Sequence, residues 1–470
     1  MPHRALFMQA AALAAAFRDS LPERPVGAAA TLAQLRATLG GALPEQGTPD
    51  AQVIADLARA ADPGLVASPG PRFFGFVFGG SSPVSVAADF LTSAWDQNCG
   101  LYVGSPALGV VEETVARWVL DLAGLPATAS VGFVTGCQMA NFTALAAARH
   151  AVLAKLGWDV EEDGLQGAPK ITVVVGVEAH VTIFRALRFL GLGPRHAVRV
   201  AVDSQGRMRA ESLRLALARI DGPAIVCAQA GNVNSGAFDP LEEIAAACRA
   251  RGAFLHVDAA FGLWAAASPA LRDQLRGCDQ ADSWASDAHK WLNVPYDSGL
   301  VMVRDPAAHR AAMTATAAYL ESAAPGAARD GVDWVPEFSR RGRGFALYAQ
   351  LRALGREGVR ALVERSCALA KRAAAGLSAA GARVLNEVTL NQVLARFEPP
   401  GRTPAEADAL TRAVVARVQR EGACWLSGST WQGQGVLRFS ISGEATREAD
   451  LDRSVAAIVA AARAEGALPT

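Results

Sequence analysis

Five short, almost wholly apolar runs punctuate the middle of the chain: ITVVVGV (171–177), VRVAVD (198–203), AIVCAQA (224–230), FLHVDAA (254–260) and GLVMVRD (299–305). Amphipathic stretches accompany them, notably around 139–155 and 239–251. Strands this apolar have no face to offer water. The alternation therefore predicts an α/β chain with a mostly parallel sheet covered on both sides by helices. In such sheets ligands sit beyond the carboxyl ends of the strands.

On either side the pattern changes. Residues 1–75 are Ala- and Leu-rich helical segments broken by loops such as LPERPVG and ASPGPRFFG. Residues 76–345 form the large α/β domain, and 346–470 combine helices with strand-like pieces (NQVLARF, VLRFSIS) into a small α+β domain. With 470 residues, 51% of them hydrophobic, the chain can bury a core of that extent.

Charge and cysteine usage exclude several classes. The 45 basic and 45 acidic residues cancel, leaving no electrostatic footprint for nucleic acid or an anionic membrane. The seven cysteines are scattered and never form CxxC, which argues against a disulfide framework or a zinc site and suits the cytoplasm. The N-terminal run MPHRALFMQAAALAAAFRDS is interrupted by Gln9 and followed by Arg18 and Asp19, so it reads as a packing helix rather than a signal peptide. No apolar stretch reaches the roughly 20 residues needed to span a bilayer.

Four elements carry chemistry. Lys290, in DSWASDAHKWLNVPYDSG, lies between His289 and Trp291. Partly apolar surroundings weaken a lysine's preference for the ammonium form, and a neutral amine can form a Schiff base with an aldehyde. The competing reading is a stem packed on Trp291. Asp258 ends the run FLHVD, where a carboxylate would meet the sheet's ligand edge and could pair with the pyridine nitrogen of pyridoxal 5′-phosphate (PLP). The small Ala260 would let a flat ring approach. The alternative for Asp258 is a helix N-cap. FVTGCQMANFTALAAAR reads as strand, turn and helix, with Gly136, Cys137 and Gln138 able to offer backbone N–H groups to a phosphate. His180, in VEAHVTIFRA, sits at a strand-to-helix turn and reads either as a ring stacked on a cofactor or as a capping histidine.

Together TGCQMAN, HVDAAFG and DSWASDAHKW, in this order along the chain, resemble the group II PLP-dependent amino acid decarboxylases, which include the aromatic-amino-acid, histidine and glutamate enzymes. The resemblance extends to FFGFVFGGSSPVSVAADFLTSAWDQNCGLYVGSPALGVVEETVARWV and to SRRGRGFALYAQLRALG, covering most of residues 70–360. It implies the PLP-dependent transferase-like fold (fold type I) and a homodimer with shared active sites. It also implies that Lys290 holds PLP, Asp258 pairs with the ring nitrogen and His180 stacks opposite Ala260. Cys137, Gln138 and His289 would surround the phosphate. Tyr319, in TATAAYLES, matches the family's loop tyrosine, which would protonate Cα after carbon dioxide leaves. The Ala- and Gly-rich residues 320–335 are expected to be flexible.

Three departures stand out. The phosphate turn has Cys137-Gln138 where relatives place small residues. Asp287 replaces a common asparagine, so it should point away from a phosphate or be paired. The substrate-facing segment FVFGG has Gly79 where aromatic decarboxylases carry threonine, while WDQNCGLY is similar to the glutamate enzymes. Phe76, Gly79 and Asn98 are the substrate-facing candidates; Arg340 and Arg341 read as substrate contacts or as partners of a carboxylate at a subunit interface. The implied activity is decarboxylation of an amino acid to its amine. The rivals are another fold-type-I reaction (an aminotransferase, a carbon–carbon lyase or aldehyde-forming decarboxylation) and a catalytically inert scaffold.

Overall fold

The computed structural model describes residues 3–314 and 329–469. Their contacts divide into two units. One comprises residues 1–78, 371–385 and 393–470, the other 79–370 and 386–392.

The first unit begins with helices His3–Ser20, Leu32–Leu39 and Asp50–Ala61, followed by the short strand β1 (Phe73–Phe74). Thr31 and Gln34 cap the second helix reciprocally, satisfying two end donors.

The second unit holds the larger sheet: β2 (Ser130–Val134), β3 (Thr172–Gly176), β4 (Val198–Val200), β5 (Ala224–Gln229), β6 (Phe254–Asp258), β7 (Ser283–Asp287) and β8 (Gly299–Val303). Their order is β2-β8-β7-β6-β5-β3-β4. Strands β4, β3, β5, β6 and β7 are parallel neighbours, and β8 runs antiparallel between β7 and β2. The expected fold class is therefore present, with one reversed strand. Every residue of β2, β5, β6, β7 and β8 is buried, as a sheet covered on both faces requires.

Helix Cys137–Ala154 lies on this sheet. Its Ala140, Ala144 and Ala147 recur at helical spacing and pack, fully buried, against Ala285, Val301 and Val303. Alanine lets the helix axis come close to the strands, which brings its N-terminus down to their ends.

After helix Arg343–Ala379, which kinks at Gly355 (φ 58°), the first unit resumes with β9 (Arg383–Val384), β10 (Gln392–Arg396), β11 (Trp425–Trp431) and β12 (Gln434–Ser440). With β1 they form a sheet ordered β1-β11-β12-β10-β9. Helices Pro404–Glu421 and Glu448–Ala464 complete that unit.

The expectation of a flexible 320–335 is corrected at its far end. Residues 329–335 are packed: Gly331–Asp333 forms a 3-10 turn, Val332 and Val335 are buried, and Arg329 lies over the Trp334 ring. Tyr319 lies outside the described residues.

Candidate active site

Sheet register brings separate segments to one edge. Val134 of β2 and Asp287 of β7 both pair with Gly299 of β8, while Asp258 of β6 pairs with Ala285 of β7. The turn after β2 therefore lies beside the end of β7. A Cβ on Gly299 would sit 2.4 Å from the Gly136 Cα, so the two backbones can meet only if that residue is glycine.

Asp258 is buried and accepts three hydrogen bonds. Asn141 Nδ2 lies 3.1 Å from Oδ2, and the Ala260 N–H and Cys137 thiol lie 3.2 and 3.4 Å from Oδ1. These donors offset the desolvation of a buried carboxylate. Burial, reinforced by Asp258 and Asp287, pushes the Cys137 thiol well up, so it stays protonated as the donor. Asp258 caps no α-helix, because the turn that follows it, Gly262–Ala267, is 3-10.

Behind Asp258 runs a chain of hydrogen bonds. Because Asn141 Nδ2 donates to Asp258, its amide oxygen accepts from His256 Nε2 at 2.9 Å. His256 Nδ1 then accepts from the Ser283 hydroxyl at 2.9 Å. Burial lowers the His256 pKa to about 4, which keeps the ring neutral as this pattern demands. Asn141 also donates to the Thr182 hydroxyl at 3.1 Å, which in turn donates to His180 Nδ1 at 2.8 Å. His180 is thus the N-cap of helix Val181–Phe189 and is tied to Asp258 through two side chains. None of Asn141, Thr182 and His256 stood out in the sequence. Each lies inside a motif, Asn141 in TGCQMAN, Thr182 in VEAHVTIFRA and His256 in HVDAAFG, but nothing local singled it out.

The Lys290 side chain is 19% exposed, and its Nζ lies 3.0 Å from Asp287 Oδ2. Here the sequence expectation is corrected. Burial alone pulls the Lys290 pKa down, but the charge of Asp287, with Asp258 and a hydrogen bond to Asp287 assisting, outweighs it and holds the ammonium above its ordinary value. Asp287 does not point away from the phosphate turn: it is paired, and its Oδ1 accepts the Cys137 N–H at 2.6 Å. His289 takes the Ser298 N–H on Nδ1 at 3.1 Å and directs Nε2 at Asp287 Oδ1, 3.5 Å away. Burial lowers its pKa, so this ring too is neutral.

The other candidates fall as follows. Gln138 Nε2 reaches the Thr182 carbonyl at 3.4 Å. Gly79 passes directly under Lys290, where a Cβ would lie 1.5 Å from the Lys290 carbonyl oxygen. Asn98 is not joined to this network: its Oδ1 accepts from the Gly100 and Arg340 N–H groups. Phe76, in the first unit, is 51% exposed at φ 54° and packs on Trp425 at 5.1 Å. Arg340 forms a buried pair with Glu112 of the same chain, and Arg341 forms an exposed one with Asp89.

Gly136, Cys137, Gln138, His180, Asp258, Ala260, His289 and Lys290 thus share one sheet edge. Their chemistry fits PLP: a largely buried amine for an aldehyde, a carboxylate for a ring nitrogen, and a helix N-terminus whose first N–H already binds an anionic oxygen. An α/β protein with this set of groups belongs to the class of PLP enzymes.

Comparison with known proteins narrows the class. Residues 33–396 match the pyridoxal-dependent decarboxylase conserved domain. The chain is 28% identical to an aromatic-L-amino-acid decarboxylase of Bacillus atrophaeus over 95% of its own length and 92% of the relative's. It is 30% identical to an L-2,4-diaminobutyrate decarboxylase of Rhizobium meliloti (strain 1021) over 85% and 79%. The Oryza sativa TDC structure with PLP and tryptamine superposes with a TM-score of 0.91 at 24% identity, covering 98% of this chain and 97% of that one. The chain belongs to the pyridoxal-dependent decarboxylase family, and its activity is PLP-dependent decarboxylation of an amino acid.

Proposed function

We propose that this enzyme converts an L-amino acid to the corresponding amine and carbon dioxide, as a cytoplasmic homodimer with shared sites, using Lys290 as the cofactor-holding residue. The convergence of Lys290, Asp258 and the N-terminus of helix Cys137–Ala154 at one sheet edge carries this reading.

When bound, PLP supplies the electron sink for the bond broken at Cα. Asp258, held by Asn141 and backed by His256, keeps the ring nitrogen protonated. His180, fixed through Thr182, and Ala260 would hold the cofactor ring between them. Gly136, Cys137, Gln138 and His289 receive the phosphate. Gly79, beneath Lys290, borders the substrate. Tyr319 delivers the proton to Cα, and Lys290 ends the cycle as the released amine.

Two observations support the dimer. The three N-terminal helices have no buried residue, although Phe7, Met8, Leu13 and Leu57 lie on them. Helix Pro83–Trp95 also leaves Phe90, Leu91 and Trp95 about half exposed. Apolar faces of this kind are ordinarily covered by a partner. All seven cysteines are free, as a reducing cytoplasm allows.

The test is product analysis. Purified protein with PLP is incubated with the standard amino acids, and carbon dioxide and amine are followed by mass spectrometry. Matching amine that disappears in Lys290→Ala supports the reading. A keto acid or aldehyde in place of the amine assigns another fold-type-I reaction.

A further inference from the structure

Asp287 is the residue whose charge runs against the group this site receives. Its side chain is 2% exposed, and its carboxylate meets Cys137 N–H at 2.6 Å, Lys290 Nζ at 3.0 Å and His289 Nε2 at 3.5 Å. Its backbone is pinned on both sides. The N–H donates to the Ala260 carbonyl at 2.9 Å, and the carbonyl accepts from the Trp264 indole at 3.1 Å. Asp287 therefore cannot swing out to solvent as a surface aspartate would. Cys137 N–H opens an 18-residue helix whose N-cap, Gly136, supplies no side chain. One carboxylate thus occupies the terminus suited to a phosphate and, through its other oxygen, holds the amine suited to an aldehyde.

We propose that Asp287 is a positioning residue that makes aldehyde capture by Lys290 depend on the phosphate carried by that aldehyde. The inference rests on Lys290 being the cofactor lysine. The ammonium must lose a proton before its nitrogen can attack. A phosphate arriving at Cys137 N–H places a second anion beside Asp287, which drives the shared proton from Nζ onto the carboxylate. Asp287, now neutral, can donate a hydrogen bond to the phosphate instead of repelling it. The neutral amine then attacks the aldehyde carbon. A C–N bond forms, the carbonyl oxygen departs as water with the two amine hydrogens, and a C=N bond remains. An aldehyde without phosphate meets an ammonium paired to a carboxylate and reacts slowly.

The experiment uses the full chain freed of cofactor. It compares the limiting rate of C=N formation, read by absorbance, at saturating PLP and at saturating pyridoxal. In the unsubstituted protein pyridoxal reacts at least about 10-fold more slowly, the equivalent of one pKa unit on the amine. Inorganic phosphate added with pyridoxal restores much of the rate, and chloride at equal ionic strength does not. In Asp287→Asn the two aldehydes react at similar limiting rates and the phosphate effect is gone. Equal rates in the unsubstituted protein, no response to inorganic phosphate, or a response that survives Asp287→Asn would each overturn the proposal. A merely structural Asp287 predicts lower stability in Asp287→Asn with the rate ratio unchanged, which also overturns it. Borohydride reduction and peptide mapping separate this inference from the reading beneath it. A label on Lys290 leaves the rates to decide, whereas a label on another lysine overturns the Lys290 assignment and this inference together.

Discussion

Asn141 holds Asp258 from within the helix that crosses the sheet, with Nδ2 3.1 Å from Oδ2. The same amide accepts from His256, so one side chain sets both the carboxylate and the imidazole behind it. Asn141→Ala leaves a buried carboxylate oxygen and a buried ring N–H without their partner. The expected loss is about 1–3 kcal/mol of folding stability, together with weaker PLP retention. Denaturant unfolding and cofactor titration measure the two effects. Unchanged stability would show that His256 and Asp258 find other partners.

Gly79→Ala probes the floor beneath Lys290. The added Cβ would lie 1.5 Å from the Lys290 carbonyl oxygen and 2.5 Å from its carbon. Backbone atoms cannot step aside as a side-chain tip can, so Lys290 itself must move. A shift of about 1 Å in such a group costs on the order of 10²-fold in rate, and that fall in decarboxylation is expected. Gly47→Ala is the control, because a Cβ there meets nothing within 4 Å. Equal activity of the two variants would sink the argument.

What could be read from the sequence followed how local each signal was. Strands β3, β5, β6 and β8 were legible because they are short runs dominated by apolar residues. Strand β7, SWASD, was not, since its polarity reads as a loop. Its polar groups are satisfied internally: Ser283 by His256, Ser286 by the Ala259 carbonyl and the Trp284 indole by the Cys278 carbonyl. Lys290, Asp258 and the turn at 136–138 announced themselves through short motifs. Asn141, Thr182 and His256 join the site through hydrogen bonds spanning 41 to 117 residues, and no local pattern records these. The Lys290 ammonium was misjudged for the same reason: the apolar neighbours are visible in sequence, while the opposing Asp287 contact is tertiary.

Arg340 and Arg341 are neighbours with opposite expected consequences. The Arg340 and Glu112 side chains are 1% and 4% exposed, whereas Arg341 and Asp89 are 40% and 33% exposed. Arg340→Met strands the Glu112 carboxylate in the interior, and about 3–5 kcal/mol of stability is expected to be lost. Arg341→Met breaks an exposed pair worth at most about 1 kcal/mol. Adding Glu112→Leu to Arg340→Met removes the stranded charge and should recover part of the loss. Equal destabilisation by the two single variants, measured by urea unfolding, would contradict the assignment.

His309 gives the enzyme a measurable acid sensitivity away from the site. Its ring is fully buried between the Ser130 hydroxyl, 2.8 Å from Nδ1, and the Trp334 carbonyl, 2.9 Å from Nε2. Burial, with Arg329 acting in the same direction, lowers its pKa from the ordinary 6.5 to about 3. The folded pKa is thus below the unfolded one, and between those values the unfolded chain binds the extra proton. The contribution of His309 is fully present above pH 6.5 and is lost as pH falls toward 3, at up to about 1.4 kcal/mol per pH unit. His256 acts in the same sense down to about pH 4, whereas Asp239, raised by burial to about 6, acts in the opposite sense between 3.8 and 6. The informative quantity is therefore a difference between proteins. His309→Gln, which cannot titrate, is expected to be less stable at pH 7 but to lose about 2 kcal/mol less than the unsubstituted protein between pH 6.5 and 4.5. Parallel stability curves over that interval would mean that the buried ring is charged in the folded state, contrary to its burial.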